Sequence, residues 1–256
     1  MTGTVHVDVD DHVLTLTIDN PEKRNALSPS FLPTIRDALR EPPASVRVAV
    51  LTGAGEQAFS AGYDITQLRD RDPETDPTLF RQAVRAIAEF PYPTVARVNG
   101  DAVGGAFEFV TACDLRVAVE EARFGLTPAK LGLVYEAEGI RRVVDVVGGS
   151  NARELLFTAD LVDAERAREM GLLNRLVPRA DLDATTDDLV ESIAGNAPLS
   201  LRGSKQIIDA VLSKRDLTDV EEEWAARLRR ESAESRDHRH AVEAFERGET
   251  PEFEGR

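Results

Sequence analysis

The sequence is short of several things, and each shortage closes off a class of protein. Its one cysteine, Cys113, cannot form an intramolecular disulfide, so a disulfide-stapled fold is excluded. No apolar run approaches the ~20 residues a membrane-crossing helix needs, and Met1 to Asp11 holds no apolar signal-peptide core. A reducing cytoplasm is the expected location. Positive charge is scarce: 31 Lys and Arg stand against 46 Asp and Glu, a net charge of −15. A field of that sign disfavours phosphate backbones and anionic membranes, so neither nucleic acid nor membrane is an expected partner. Lysine occurs only at Lys23, Lys130, Lys205 and Lys214, which leaves most of the positive charge to arginine. Internal repeats and low-complexity tracts are absent as well. What is present is a 256-residue chain with 42% hydrophobic residues, enough for a sizeable core in one large α/β domain or one domain with an appendage.

Val5 to Val9 and Val13 to Ile18 alternate apolar and polar residues around Asp10-Asp11-His12, predicting a hairpin with one buried face. Ser28-Pro29 supplies an N-cap and first-turn proline for a helix carrying Phe31, Leu32, Ile35, Ala38 and Leu39. A strand is expected at Val46–Leu51, a mobile surface loop from Arg69 to Pro77, and helix again near Leu79. Thr94–Val98 and Leu115–Val119 read as strands, with a buried helix between them opening at Gly104-Gly105. The recurring β, β, α order points to helices packed outside sheets. After a short strand at Leu173–Val177, only helical periodicity remains, in Leu182–Ala194, Leu199–Leu212, Val220–Leu228 and Ala241–Phe245.

Two glycine turns, Ala61-Gly62-Tyr63 and Gly104-Gly105-Ala106, precede helix-like segments, and neither fits a Walker loop or a G-x-G-x-x-G fingerprint. Glycine lets backbone N–H groups face a cleft, and two converging at a helix start make an oxyanion hole; each turn alone equally reads as an ordinary helix entry. Glu108 lies in the apolar run Ala106–Val110, where a carboxylate is costly to bury unless it is used or paired. A functional carboxyl and a structural ion pair with an arginine both fit that setting. Cys113 reads as a small core residue. His6, His12, His238 and His240 are scattered with no metal-like partner set, and His238-x-His240 reads as a solvated helix end.

Three segments follow one another in the order and spacing of the crotonase (enoyl-CoA hydratase/isomerase) superfamily: Asn20-Pro21-Glu22-Lys23-Arg24-Asn25-Ala26-Leu27, then Ala58-Phe59-Ser60-Ala61-Gly62-Tyr63-Asp64-Ile65, then Asn99-Gly100 with Gly104-Gly105-Ala106-Phe107-Glu108. The chain resembles that superfamily over essentially its whole length. The resemblance implies an α/β fold: a crotonase-like spiral of ββα units over residues 1–195 and a helical C-terminal trimerisation region over 196–256. It further implies a CoA-thioester substrate, no metal, no cofactor beyond the CoA of the substrate, and a homotrimer or dimer of trimers. An oxyanion hole then falls on the N–H groups of Tyr63 and Gly105, and the adenine-side binding strand on residues 61–66. Contacts to the CoA thioester fall at Lys23, Arg24, Ala26, Ala61, Asp64, Ile65 and Thr127, with Lys23 and Arg24 toward its phosphates.

Hydratases of this superfamily flank a water with two glutamates. By position the first is Glu108, while the second falls on Pro128, which has no titratable group. Thr127-Pro128-Ala129-Lys130-Leu131-Gly132-Leu133-Val134-Tyr135 looks instead like the methylmalonyl-CoA decarboxylase-like members, whose tyrosine at the Tyr135 position lies over the substrate carboxylate. Two departures stand out: Tyr63 replaces a histidine of those decarboxylases, and Glu136 and Glu138 sit beside Tyr135. The resemblance therefore implies decarboxylation of a short malonyl-type CoA, methylmalonyl-CoA or ethylmalonyl-CoA. The alternative is an enoyl-CoA hydratase/isomerase using Glu108 and Glu136.

Overall fold

Alternation governs the start of the chain, where β1 (Thr4–Asp10) and β2 (Val13–Asp19) pair antiparallel with Val5 opposite Ile18 and Val9 opposite Leu14. The predicted hairpin forms, but its buried face is complete only in β2, through Leu14, Leu16 and Ile18. In β1, Val7 and Val9 remain 43% and 44% exposed, because β1 is the edge strand of its sheet and the covering layer thins out there. This computed structural model describes residues 3–64, 75–131, 133–213, 219–247, 249 and 251–255.

Helix α1 (Phe31–Arg40) begins two residues later than Pro29 suggests. The Phe31 N–H already bonds the Ser28 carbonyl at 2.9 Å, so Ser28 and Pro29 form the turn leading in, and Ser30 takes the N-cap position without a side-chain cap bond. Three ββα units follow: β3 (Val48–Gly53), β4 (Ala58–Ser60) and α2 (Thr75–Ala88); β5 (Thr94–Val98), β6 (Asp101–Val103) and α3 (Gly105–Ala112); β7 (Leu115–Val119), β8 (Arg123–Gly125) and α4 (Ala137–Thr158). The first strand of each unit joins a six-stranded sheet, β1-β2-β3-β5-β7-β10, and the second joins a four-stranded sheet, β4-β6-β8-β9. Each unit thus steps one strand along both sheets, which is the geometry of a spiral. Then β9 (Val162–Asp163), α5 (Ala164–Glu169) and β10 (Arg175–Val177) close both sheets, with β10 parallel to β7 and β9 antiparallel to β8.

Strand β3 is buried along its whole length, as a central parallel strand between β2 and β5 must be, and it reads as an unbroken apolar run for that reason. Helix α2 starts at Thr75 rather than near Leu79, so the expected loop ends earlier; its part before residue 75 lies outside the described residues.

No strand follows β10 among the described residues, as expected, and α6 (Leu182–Ala194), α7 (Pro198–Ser213), α8 (Asp219–Ala233) and α9 (Arg236–Arg247) complete the chain. Helix α7 is tied to the sheets by buried Lys205, whose Nζ donates to Asp114 Oδ2 at 2.6 Å and to the Tyr92 carbonyl at 3.2 Å. The same Asp114 oxygen accepts the Thr94 N–H at 2.7 Å, so one carboxylate joins the start of β5 to α7. Ile208, Val211 and Leu212 leave an exposed apolar patch on that helix. Among the described residues no helix is long and apolar enough to cross a membrane.

Candidate active site

The segment around Tyr63 is positioned by the loop from Asn20 to Leu27. Arg24 and Asn25 both adopt left-handed backbone, with φ of 52° and 57°, a conformation that asparagine tolerates better than most residues. The Asn25 side chain then donates to the carbonyls of Ala54 at 2.9 Å and Ala58 at 2.8 Å, while its Oδ1 accepts the Asn20 N–H at 3.0 Å. Leu27 continues the fit as a one-residue bridge: its N–H donates to the Gly62 carbonyl at 2.7 Å and its carbonyl accepts the Asp64 N–H at 3.0 Å. Tyr63 is fixed between those two bonds.

Gly62 has φ +90°, and a Cβ there would lie 2.4 Å from the Val103 carbonyl and 3.1 Å from the Gly105 nitrogen. Only glycine allows this approach, which brings the Tyr63 segment against the entry of α3. Gly104, at φ +59°, is the N-cap of α3, and its N–H is held by the Gly125 carbonyl at 2.9 Å. The Gly105 N–H is therefore among the first-turn donors that helix geometry leaves without an intrahelical acceptor. A Cβ added at Gly105 would sit 3.5 Å from the Tyr63 nitrogen and 3.0 Å from the Phe80 ring. The two N–H groups predicted as an oxyanion hole are thus neighbours, beneath a ring from α2. Phe80 meets Tyr63 edge-on at 6.3 Å and stacks on Phe109 at 5.6 Å.

One turn into α3, Glu108 is buried among apolar side chains, and among the described residues its nearest cation is Arg142 of α4, with Nη1 3.5 Å from Oε1. Burial pushes the Glu108 carboxyl up to about 7, Arg142 pulls it down, and Glu136 and Glu138 push it further up. Glu108 therefore has the arginine partner that one sequence reading expected, and burial outweighs that partner in setting its proton affinity. Gly139 makes room for it, since a Cβ there would lie 2.8 Å from Glu108 Oε1 and 3.3 Å from the Tyr135 ring. Tyr135 and Glu108 thus share one wall. Burial, then the Glu108 charge, raise the Tyr135 phenol above its usual range, so its hydroxyl stays protonated.

The structure separates the two glutamates beside Tyr135. Glu136 is the N-cap residue of α4, makes no side-chain cap bond, is 51% exposed and pairs with Arg81 at 3.5 Å. Glu138 is less exposed, pairs with Arg85 at 3.0 Å and bonds Arg142. The link to Glu108 therefore runs through Glu138 and Arg142, not through Glu136. Sequence reasoning missed Arg142; the signal available was its i, i+4 spacing from Glu138 on a helix.

The described residues among those expected to contact the CoA thioester have different local roles. Lys23 Nζ donates to buried Asp64 at 2.6 Å, so Asp64 anchors a cation here. Arg24 and Arg123 both donate to Asp101 Oδ2 at 2.7 Å, two cations on one carboxylate. Arg123 was not foreseen. Buried Ala26 gives its carbonyl to Asn20, and exposed Ala61 donates its N–H to the Arg24 carbonyl at 2.9 Å. Thr127 is half-buried, its hydroxyl 3.9 Å from where a Gly104 Cβ would lie; Pro128 behind it is buried. Ile65 and Thr66 lie outside the described residues. Cys113 is a buried core residue whose thiol burial pushes up to about 12. His240 meets the Glu252 carbonyl at 2.8 Å. Among the described residues, no cluster of three or more His, Cys, Asp or Glu could hold a metal ion.

A ββα spiral with a two-glycine cleft and a buried carboxyl one helical turn away defines a crotonase-fold enzyme, and comparison with known proteins agrees. The family model described as enoyl-CoA hydratase/isomerase matches residues 8–256, and the chain belongs to that family, whose members act on acyl-CoA thioesters. It is 31% identical over 255 residues to a methylmalonyl-CoA decarboxylase of Escherichia coli, covering 98% of both chains. It is 32% identical over 212 residues to a short-chain-enoyl-CoA hydratase of Clostridium acetobutylicum, covering 81% of each. Among solved structures, an enoyl-CoA hydratase from Bacillus anthracis superposes with a TM-score of 0.89 at 29% identity, covering 98% of this chain and 99% of that one.

Proposed function

We propose that this enzyme decarboxylates a short malonyl-type CoA thioester, methylmalonyl-CoA or ethylmalonyl-CoA, by way of an enolate. The observation that carries the reading is that the Tyr135 ring and the Glu108 carboxyl both close on Gly139, so a tyrosine shares one wall with a carboxyl that burial pushes up to about 7. The thioester oxygen would sit against the Tyr63 and Gly105 N–H groups. The bond from the α-carbon to the carboxylate breaks, its electron pair becomes the enolate, and carbon dioxide leaves. The Glu108 carboxyl then gives its proton to the α-carbon and recovers it from water. Carbon dioxide loss needs no base, only orientation and charge stabilisation, so proline at position 128 costs nothing. Each oxyanion donor contributes roughly 3–4 kcal/mol in such sites. Tyr135 would hold the departing carboxylate out of the thioester plane. The guanidinium groups of Arg24 and Arg123, with the Lys23 ammonium beside them, suit the CoA phosphates. CoA arrives with the substrate, and the chemistry calls for no resident cofactor. We place the enzyme in the cytoplasm as a homotrimer or dimer of trimers.

A second reading, hydration or isomerisation of an enoyl-CoA with Glu108 and Glu136, draws its support from relatives such as the Clostridium enzyme, which is named a hydratase. Incubation with methylmalonyl-CoA, ethylmalonyl-CoA and crotonyl-CoA separates the two. The decarboxylase reading expects carbon dioxide release and an unchanged enoyl absorbance. Loss of the enoyl band with no carbon dioxide would overturn it.

A further inference from the structure

The groups around Glu108 form a longer chain than a buried acid needs. Arg142 is nearly buried, and its guanidinium is divided between two carboxylates: Nη1 stands 3.5 Å from Glu108 Oε1, while Nη2 bonds Glu138 Oε1. Glu138 in turn accepts Arg85 through Nε at 3.1 Å and Nη2 at 3.0 Å. Charges of alternating sign thus run outward from the cleft as Glu108, Arg142, Glu138 and Arg85. Arg85, Glu138 and Arg142 also line a cavity of about 710 Å³, so solvent meets the outer links of this chain.

The division is unequal. The Glu108 contact lies at the outer limit of hydrogen bonding, whereas Glu138, one turn before Arg142 on the same helix, holds it closely. An arginine present only to neutralise a buried charge would favour the more buried carboxylate, where an unpaired charge is most costly. Here the more exposed carboxylate has the stronger claim.

We propose that Arg142 is a positioning residue for Glu108, and that Glu138, by drawing the guanidinium away, keeps the Glu108 carboxyl able to hold its proton for delivery. The destination of that proton rests on the decarboxylation reading; the control of the carboxyl does not. Among the described residues, the other charged groups facing Glu108 are Glu136, paired with Arg81 of α2, and Glu138, paired with Arg85 of the same helix. Tyr135 is the remaining titratable neighbour among them, and α3 carries no charged side chain besides Glu108.

The test is a pair of variants with opposite expected signs. Glu138→Gln frees Arg142 toward Glu108 and removes a repelling charge, so the Glu108 carboxyl should titrate about one pH unit lower. Arg142→Gln removes the attraction, and the carboxyl should titrate about one pH unit higher. Arg142→Lys, which keeps the charge without the two-pronged fork, should fall between wild type and Arg142→Gln. Infrared titration of the full-length protein reads the carboxyl directly, its band assigned by its loss in Glu108→Gln, and the pH profile of carbon dioxide release reads it a second time. Shifts of the same sign in both variants, or none, would overturn the proposal. Should Arg142→Gln not fold, Glu138→Gln alone decides, and an unchanged or raised Glu108 titration in it refutes the idea. Opposite infrared shifts with no carbon dioxide released by any form would sink the decarboxylase reading while leaving this one standing.

Discussion

Glu108→Gln offers a test of the buried acid that does not require its substrate. In the folded protein the Glu108 carboxyl is pushed from 4.5 up to about 7, with burial the largest cause. Between those two pH values the native state holds a proton that the unfolded chain has released, so stability falls as pH rises through the window. The favourable contribution of neutral Glu108 is complete below 4.5 and lost by the time pH has passed about 7. At about 1.4 kcal/mol per pH unit the full displacement amounts to about 3 kcal/mol, most of which falls between roughly pH 5 and pH 8.5. Glutamine has nearly the same shape, stays neutral throughout, and leaves Arg142 paired with Glu138. Urea unfolding of both proteins at fixed protomer concentration, at pH 5 and pH 8.5, isolates this one group, because titrations not coupled to Glu108 cancel in the difference. The variant should gain on the wild type by about 2–3 kcal/mol across that interval. Parallel stability curves would mean that Glu108 is ionised in an ordinary way, and the desolvation argument would fail with them.

Gly105→Pro removes one N–H from the expected oxyanion hole and should lower turnover by about 10²–10³-fold while CoA binding persists; near-normal turnover in a folded variant defeats the assignment. Gly139→Ala puts a Cβ 2.8 Å from the Glu108 oxygen, so the carboxyl must move. Turnover should drop by on the order of 10²-fold with little change in KM, and a wild-type rate would show that the position of Glu108 is immaterial. Tyr135→Phe should slow decarboxylation by roughly 10- to 1,000-fold through lost orientation, measured as carbon dioxide release; an unaffected rate removes Tyr135 from the mechanism. The apolar patch of Ile208, Val211 and Leu212 should be covered in an assembly, and light scattering that gives the mass of a single chain at micromolar concentration refutes the trimer.

Much of this was legible in the residues themselves. Strands β5 and β7 and helices α3 and α6 fall where the pattern places them, because a short β-branched segment, a glycine pair or an apolar face at helical spacing is a local signal that the surroundings reinforce. The approach of Gly62 to Gly105 could be foreseen only as two glycine turns, since it takes the asparagine-pinned loop to bring them together. Exposure in β1 escaped prediction because the same alternation serves an edge strand and a covered one; the number of neighbours decides, and that is a property of the assembled sheets. The start of α2 was hidden by polar residues whose helicity their sequence does not announce.

The same division runs through the site. Composition and local pattern alone established a burdened carboxyl at Glu108, because one acid in an apolar helix is conspicuous wherever that helix packs. Which arginine meets it, and that Glu138 rather than Glu136 joins them, was decided by the way α4 lies across α3, with Gly139 letting the two helices close around the carboxyl. Ion pairs between residues 34 positions apart leave no periodic trace in a sequence. They exist only once the sheets have wound far enough to bring two helices into contact, so the identity of the acid belongs to the sequence and its proton affinity to the fold.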